Sequence, residues 1–254
     1  MVRFYTRIDG SDFKAIKYPW QMVIAEPALL NNAIYNYEHW EHAIIDCGIE
    51  HFLSGEHDEY KPGFFVEHLL ICKKLTKDFG DRVWCTIPDY PDDYNPGHIK
   101  DNVGKTLRNI EAYHDIKGVN WIYPVQAKYL NKNSFLECCE TVKSLYDPER
   151  IAIGTVCKTG SIAFIESCSK IARRVFKDSW IHAFGPTLSA LPKMVPYLDS
   201  FDTTAYFRNP DTGEMCKNRK QRLEFFNIYR ERVETIIKDY TVSPLTSYEG
   251  FNRE

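Results

Sequence analysis

Short apolar runs alternate with longer amphipathic stretches along almost the whole chain, and this alternation limits the fold more than any other feature. The strand-like runs are residues 22–25, 43–47, 82–87, 119–125, 150–156, 180–184 and 201–206. Between them, residues 63–79 place Phe65, Leu69, Cys72 and Leu75 at three- and four-residue steps, which is one face of a helix. Residues 133–145 open on Asn133 as an expected N-cap and turn Phe135, Leu136 and Cys139 inward; residues 161–176 and 219–240 have the same pattern. Strands alternating with helices form βαβ units, and these build a parallel sheet covered by helices. The 254 residues suit a closed (β/α)8 barrel, whose usual length is about 250. Seven strands are visible, and an eighth is expected either in the run 2–8 or in a segment with no recognisable pattern.

No linker, low-complexity tract or internal repeat divides the chain. One barrel domain over 1–254 is therefore expected, with 243–254 a flexible tail. Residues 88–97 are rich in Pro, Asp, Tyr and Asn and read as a long loop on the face where barrel enzymes carry their chemistry.

Composition narrows the partners. Hydrophobic residues make up 44% of the chain, enough for a sizeable core, and the formal charge is −3. That charge gives no global attraction to nucleic acid, so a polyanion would need a local basic patch. The 8 cysteines form no CxxC pair and sit mostly inside apolar runs, as reduced buried thiols do. No signal-peptide pattern opens the chain, and no run approaches the roughly 18 apolar residues of a membrane span. A cytoplasmic protein without a membrane partner is expected.

In a parallel α/β fold, chemistry collects beyond the carboxyl ends of the strands. Asp46 follows Ala43-Ile44-Ile45 and precedes Cys47-Gly48, as a catalytic acid or base or as a cap of the next helix. Asp89 is the carboxylate nearest the strand end in Pro88-Asp89-Tyr90, whereas Asp92 and Asp93 read as a solvated loop. Gln126 ends an apolar strand; its carboxamide can read a nucleobase edge or be simply solvated. Gly154, inside a strand pattern, marks close approach of a ligand or a bulge. Asp199 and Asp202 are three apart and so point to opposite sides of a strand; Asp202 is the functional candidate. Cys47 and Phe201, beside the two carboxylates, are expected to line the substrate site. Lys217, Arg219, Lys220 and Arg222 form a basic run, followed by Arg230 and Arg232: a solvated face or a phosphate-holding patch.

The order of these segments resembles the tRNA-guanine transglycosylase superfamily. They run Asp46-Cys47-Gly48, Pro88-Asp89, Val125-Gln126, Gly154, His182-Ala183-Phe184-Gly185 and Phe201-Asp202. The segments 153–158, 181–185 and 200–206 look most like the phage and bacterial branch that inserts 7-deazaguanines into DNA. The likeness spans roughly residues 20–208.

The resemblance implies a (β/α)8 barrel that exchanges guanine in DNA, or else in tRNA, for a base such as 7-cyano-7-deazaguanine. Asp202 would be the nucleophile that holds the nucleoside covalently, and Asp46 the general acid/base. Asp89, Gln126 and Gly154 would read the base, and the basic run would hold phosphates. It also implies a homodimer or a partner subunit.

The chain departs from the pattern in two places. The cluster of cysteines and a histidine that holds zinc after the nucleophile in the tRNA enzymes is absent, since only Cys216 follows Asp202. No cofactor is therefore expected, although His182 and Cys157 are candidates for a different zinc site. Where those enzymes stack an aromatic residue on the base, this chain has Glu50, with Phe52 two positions on. Two other classes fit the same residues. One is a barrel hydrolase of small N-nucleosides, which needs no basic patch; the other is a non-catalytic nucleic-acid-binding barrel.

Overall fold

The computed structural model describes residues 2–6, 16–48, 59–90 and 101–242. Eight parallel strands alternate with helices in a single (β/α)8 barrel of the TIM type. The strands are β1 (Arg3–Tyr5), β2 (Trp20–Ile24), β3 (His42–Asp46), β4 (Val83–Thr86), β5 (Trp121–Val125), β6 (Arg150–Ile153), β7 (Trp180–Ala183) and β8 (Ser200–Asp202). Hydrogen bonding runs in the order β1-β8-β7-β6-β5-β4-β3-β2. A parallel bridge between Thr6 and Gln21 then joins the two ends. The run at the amino end thus supplies the first strand, and each strand recognised in the sequence moves up by one.

The helices are α1 (Pro27–Leu30), α2 (Phe64–Phe79), α3 (Asn102–Tyr113), α4 (Lys132–Tyr146), α5 (Ile162–Val175), α6 (Leu191–Met194) and α7 (Arg219–Val242). Two details differ from the sequence reading. The cap of α4 is Asn131, whose Oδ1 accepts from the backbone N–H of Asn133 and Ser134 at 3.0 and 3.1 Å. Asn133 lies inside the helix because a cap residue must keep extended backbone, which Asn131 does. Helix α3 was not foreseen: Gly104 and the polar first turn blur its periodicity, and the Asp101 side chain caps it through the Gly104 N–H.

Side chains alternate across each strand. Outward positions such as Phe4, Val23, Ile45, Cys85, Val125, Ile151, Ile181 and Phe201 pack against the helices as the main core. Inward positions fill the lumen with Tyr5, Met22, Ile44, Trp84, Ile122, Ala152 and Phe184. The same alternation decides which residues at the strand ends face the mouth: Asp46 follows Ile44, Gly154 follows Ala152, and Asp202 follows Ser200. All 8 cysteines are free thiols, and most are buried. Among the described residues no helix is long and apolar enough to cross a membrane.

Two buried histidines make stability depend on pH. Burial, reinforced by the charges of Arg3 and Arg150, pushes His42 down to about 3. Burial alone pushes His68 down to about 4. Both are neutral in the folded chain at neutral pH, whereas an unfolded histidine titrates near 6.5, so below that pH the unfolded state binds more protons. Stability is therefore expected to fall as pH drops from about 6.5 toward these folded values, by on the order of 2 kcal/mol per histidine at pH 5. Urea unfolding at pH 7 and pH 5 measures this, and equal midpoints would refute it.

Candidate active site

The strand ends bring Asp46, Cys47, Asp89, Gln126, Gly154 and Asp202 to one rim of the barrel. They form two groups with different local chemistry.

The first group is built on β3 to β6. Cys47 is wholly buried, and its thiol donates to Asp89 Oδ1 at 3.1 Å. Burial pushes that thiol well above its ordinary range, and the Asp89 and Asp46 carboxylates push it the same way, so it stays protonated and acts as a donor. Tyr60 donates its hydroxyl to the Asp89 carbonyl at 2.6 Å and lies 3.2 Å from the Cys47 sulfur. The Gln126 amide Nε2 donates to Asp89 Oδ2. An ionised carboxylate can only accept, so this bond fixes which end of the Gln126 carboxamide faces Asp89. Gln126 Oε1 is left buried with no hydrogen-bond partner, as is Thr86 Oγ1 one strand away. A buried acceptor without a donor costs about 1–3 kcal/mol, so a group that brings an N–H or O–H would be held here.

Gly154 makes room for this arrangement. A Cβ there would lie 2.2 Å from Gln126 Nε2. Gly154→Ala is therefore expected to displace Gln126, break its bond to Asp89 and lower stability by roughly 1–3 kcal/mol. Urea unfolding tests this, and an unchanged midpoint would count against the contact.

The second group joins β7 to β8. Asp202 has a side chain 15% exposed, and its Oδ1 accepts from His182 Nε2 and from the Gly185 N–H, both at 3.1 Å. Gly185 has φ +54°, a conformation that suits glycine and turns its N–H toward the carboxylate. His182 is wholly buried, with Nδ1 2.6 Å from Ser200 Oγ. Because Asp202 only accepts, Nε2 carries the proton, and in the neutral ring Nδ1 accepts from the Ser200 hydroxyl. Asp202 Oδ2 has no hydrogen-bond partner among the described residues. One oxygen is held at two points and the other is left for a ligand.

Asp46 is half-buried, with Oδ1 3.8 Å from the Cys47 sulfur. Asp199 sits at the opposite end of β8. Its Oδ2 accepts from Arg173 at 2.5 Å and from the Ile181 N–H at 2.8 Å, which is a structural role.

Phe201 does not line the site. One residue out of phase with Asp202, it points outward and stacks on Phe4 with centroids 5.2 Å apart. The basic run lies at the start of α7 and just before it. The chain leaves β8 at the mouth, so this end of α7 is on the same side of the barrel. Lys217 pairs with Glu214 at 2.6 Å, and the Arg222 guanidinium lies 5.6 Å from the Phe207 ring. Lys220 is exposed. Glu50, Phe52, Asp92, Asp93 and the 243–254 tail lie outside the described residues.

His182 and Cys157, the candidates for a zinc site, are each engaged by other groups. The Cys157 thiol donates to the Gly154 carbonyl at 3.2 Å, and His182 is committed to Ser200 and Asp202. Among the described residues no group of three or more His, Cys, Asp or Glu gathers as metal ligands.

Sequence reasoning offered His182 only as a zinc candidate and gave no part in holding the carboxylates to His182, Gly185, Ser200 or Tyr60. His182 and Gly185 were visible in His182-Ala183-Phe184-Gly185, but the pairing of β7 with β8 is what puts them on Asp202. Tyr60 follows a stretch with no periodic signal.

Fold and rim together define a (β/α)8 barrel with carboxylates at its C-terminal mouth, an architecture compatible with an enzyme. No protein-family model matches the chain, and no curated protein matches it at a significant level.

Proposed function

We propose that this barrel is a base-exchange transglycosylase that replaces guanine in DNA by a 7-deazaguanine such as 7-cyano-7-deazaguanine. The observation that carries the reading is the anchoring of Asp202: His182 and Gly185 hold one oxygen, and the other is unbonded. Such a carboxylate is oriented for attack on a sugar C1′. The target nucleotide leaves its stack to reach the mouth. Asp202 Oδ2 forms a bond to C1′ as the C1′–N9 bond to guanine breaks. Asp46 gives guanine its proton and takes one from the incoming base, whose nitrogen then displaces Asp202. The logic is that of a retaining glycosidase, with one carboxylate attacking and another moving protons. Gln126 Oε1 supplies an acceptor for an N–H on the base edge, and Asp89 keeps it so oriented. The reaction needs no redox cofactor. A homodimer or partner subunit is compatible with it, and tRNA is the alternative polymer.

The test mixes the protein separately with duplex DNA and with tRNA, each carrying labelled guanine, plus excess 7-cyano-7-deazaguanine. Release from DNA alone, lost in Asp202→Ala, supports the reading. Release from tRNA alone keeps the chemistry and changes the polymer. No release from either by folded protein overturns it.

A hydrolase of small N-nucleosides is the second reading, favoured by the ion pair that offsets the charge of Lys217. Charge reversal in Lys220→Glu with Arg222→Glu separates the two. Polymer turnover at low salt is expected to fall roughly tenfold or more, because phosphate contacts supply much of the affinity. Unchanged polymer turnover would favour the hydrolase.

A further inference from the structure

We propose that the N-terminal mouth of the barrel, at the end opposite the candidate active site, binds a small tetrahedral oxyanion of the phosphate class. The inward positions at the start of the strands are Arg3 on β1, His42 on β3, Trp84 on β4, Arg150 on β6 and Trp180 on β7. They meet closely. The His42 and Trp84 rings are 4.1 Å apart, Trp84 and Trp180 4.3 Å, and the Arg150 Cζ lies 4.4 Å from the Trp84 ring centroid.

The polar groups here are mostly donors. Trp84 is 9% exposed, and its Nε1–H is buried with no hydrogen-bond partner. An indole N–H can only donate. Arg3 is partly buried and has no carboxylate partner among the described residues; it hydrogen-bonds the Tyr5 hydroxyl, and its charge is felt by Tyr5 and His42. The carboxylate paired with Arg150 is that of Glu149, at 3.3 Å, and that side chain is 85% exposed. The His42 Nδ1 is already engaged by the Tyr5 hydroxyl at 3.0 Å.

Arg150 is offset by one ion pair to an exposed carboxylate and Arg3 by no carboxylate among the described residues, so an acceptor with negative charge would satisfy both guanidinium groups and the orphaned Trp84 N–H. The guanidinium fork matches an oxyanion bidentately, and both arginines are partly exposed, the Arg150 side chain by 22%. The net charge of the chain is −3, so this cationic floor is a local arrangement and not a reflection of general basicity.

The experiment titrates the full chain with sodium phosphate and, at matched ionic strength, with sodium chloride, reading the unfolding temperature and tryptophan fluorescence. Phosphate is expected to give a saturable change in tryptophan fluorescence, with a rise in unfolding temperature of about 5 °C over chloride at a hundredfold excess over its Kd. Arg3→Gln and Arg150→Gln should each remove the saturable part. Lys220→Glu with Arg222→Glu should retain it, which separates this mouth from phosphate binding at the active-site rim. A response equal to that of chloride in the wild-type protein overturns the proposal, whether or not either arginine variant folds. So does a saturable shift that persists at full size in Arg3→Gln.

Discussion

Asp202→Asn is expected to lower base exchange by roughly a thousandfold or more, with the fold intact. The carboxamide has the size of the carboxylate, and its oxygen can still accept from His182 Nε2 and the Gly185 N–H. What it loses is the ionised oxygen opposite them, the atom assigned to attack C1′. The loss should therefore appear in turnover and not in the unfolding midpoint. Wild-type protein mixed with DNA, then denatured without the incoming base, should keep a covalent protein–DNA species, and Asp202→Asn should not. Full turnover in the variant would remove Asp202 from the chemistry. An adduct that persists in the variant would move the nucleophile elsewhere on the rim.

The second large effect is expected at Asp89. Its two oxygens accept from the Cys47 thiol and the Gln126 amide, so both partners are oriented by a group that cannot donate. Asp89→Asn replaces one of those oxygens by an NH2, which would face a donor. Gln126 can relieve the conflict by turning over, presenting Oε1 to the new amide. Its own NH2 would then point where the unpartnered oxygen now lies. Folding should survive this exchange, but a base edge that offers an N–H would meet a second donor. Affinity for the 7-deazaguanine is expected to fall about a hundredfold, since an unmatched polar pair in a buried site is expensive. Equilibrium binding of the free base measures this directly and needs no polymer. Unaltered affinity would take Gln126 out of base recognition.

Both effects depend on parity along the strands, and there the sequence was informative. Asp46, Gln126, Gly154 and Asp202 each stand at or just past the end of an apolar run, so their placement at the rim follows from strand periodicity and the direction of a parallel sheet. The outward turn of Phe201 follows from the same rule, because it is adjacent to the inward Asp202. Helix α3 was harder to read. Its first turn is polar, and what makes it a helix is the Asp101 cap together with the packing of Ile110 and Tyr113 against the sheet.

The (β/α)8 order, the outer and inner faces of the strands and the candidate carboxylates were determined by the sequence alone. They rest on local periodicity, which a chain carries whatever its neighbours are. Tertiary structure decided that His182 and Gly185 hold Asp202, that Cys47 and Gln126 share Asp89, and that Gly154 yields its volume to Gln126. These contacts join residues 17 to 42 positions apart. No spacing rule reaches across a βαβ unit, so they exist only once strand register has brought neighbouring strands side by side.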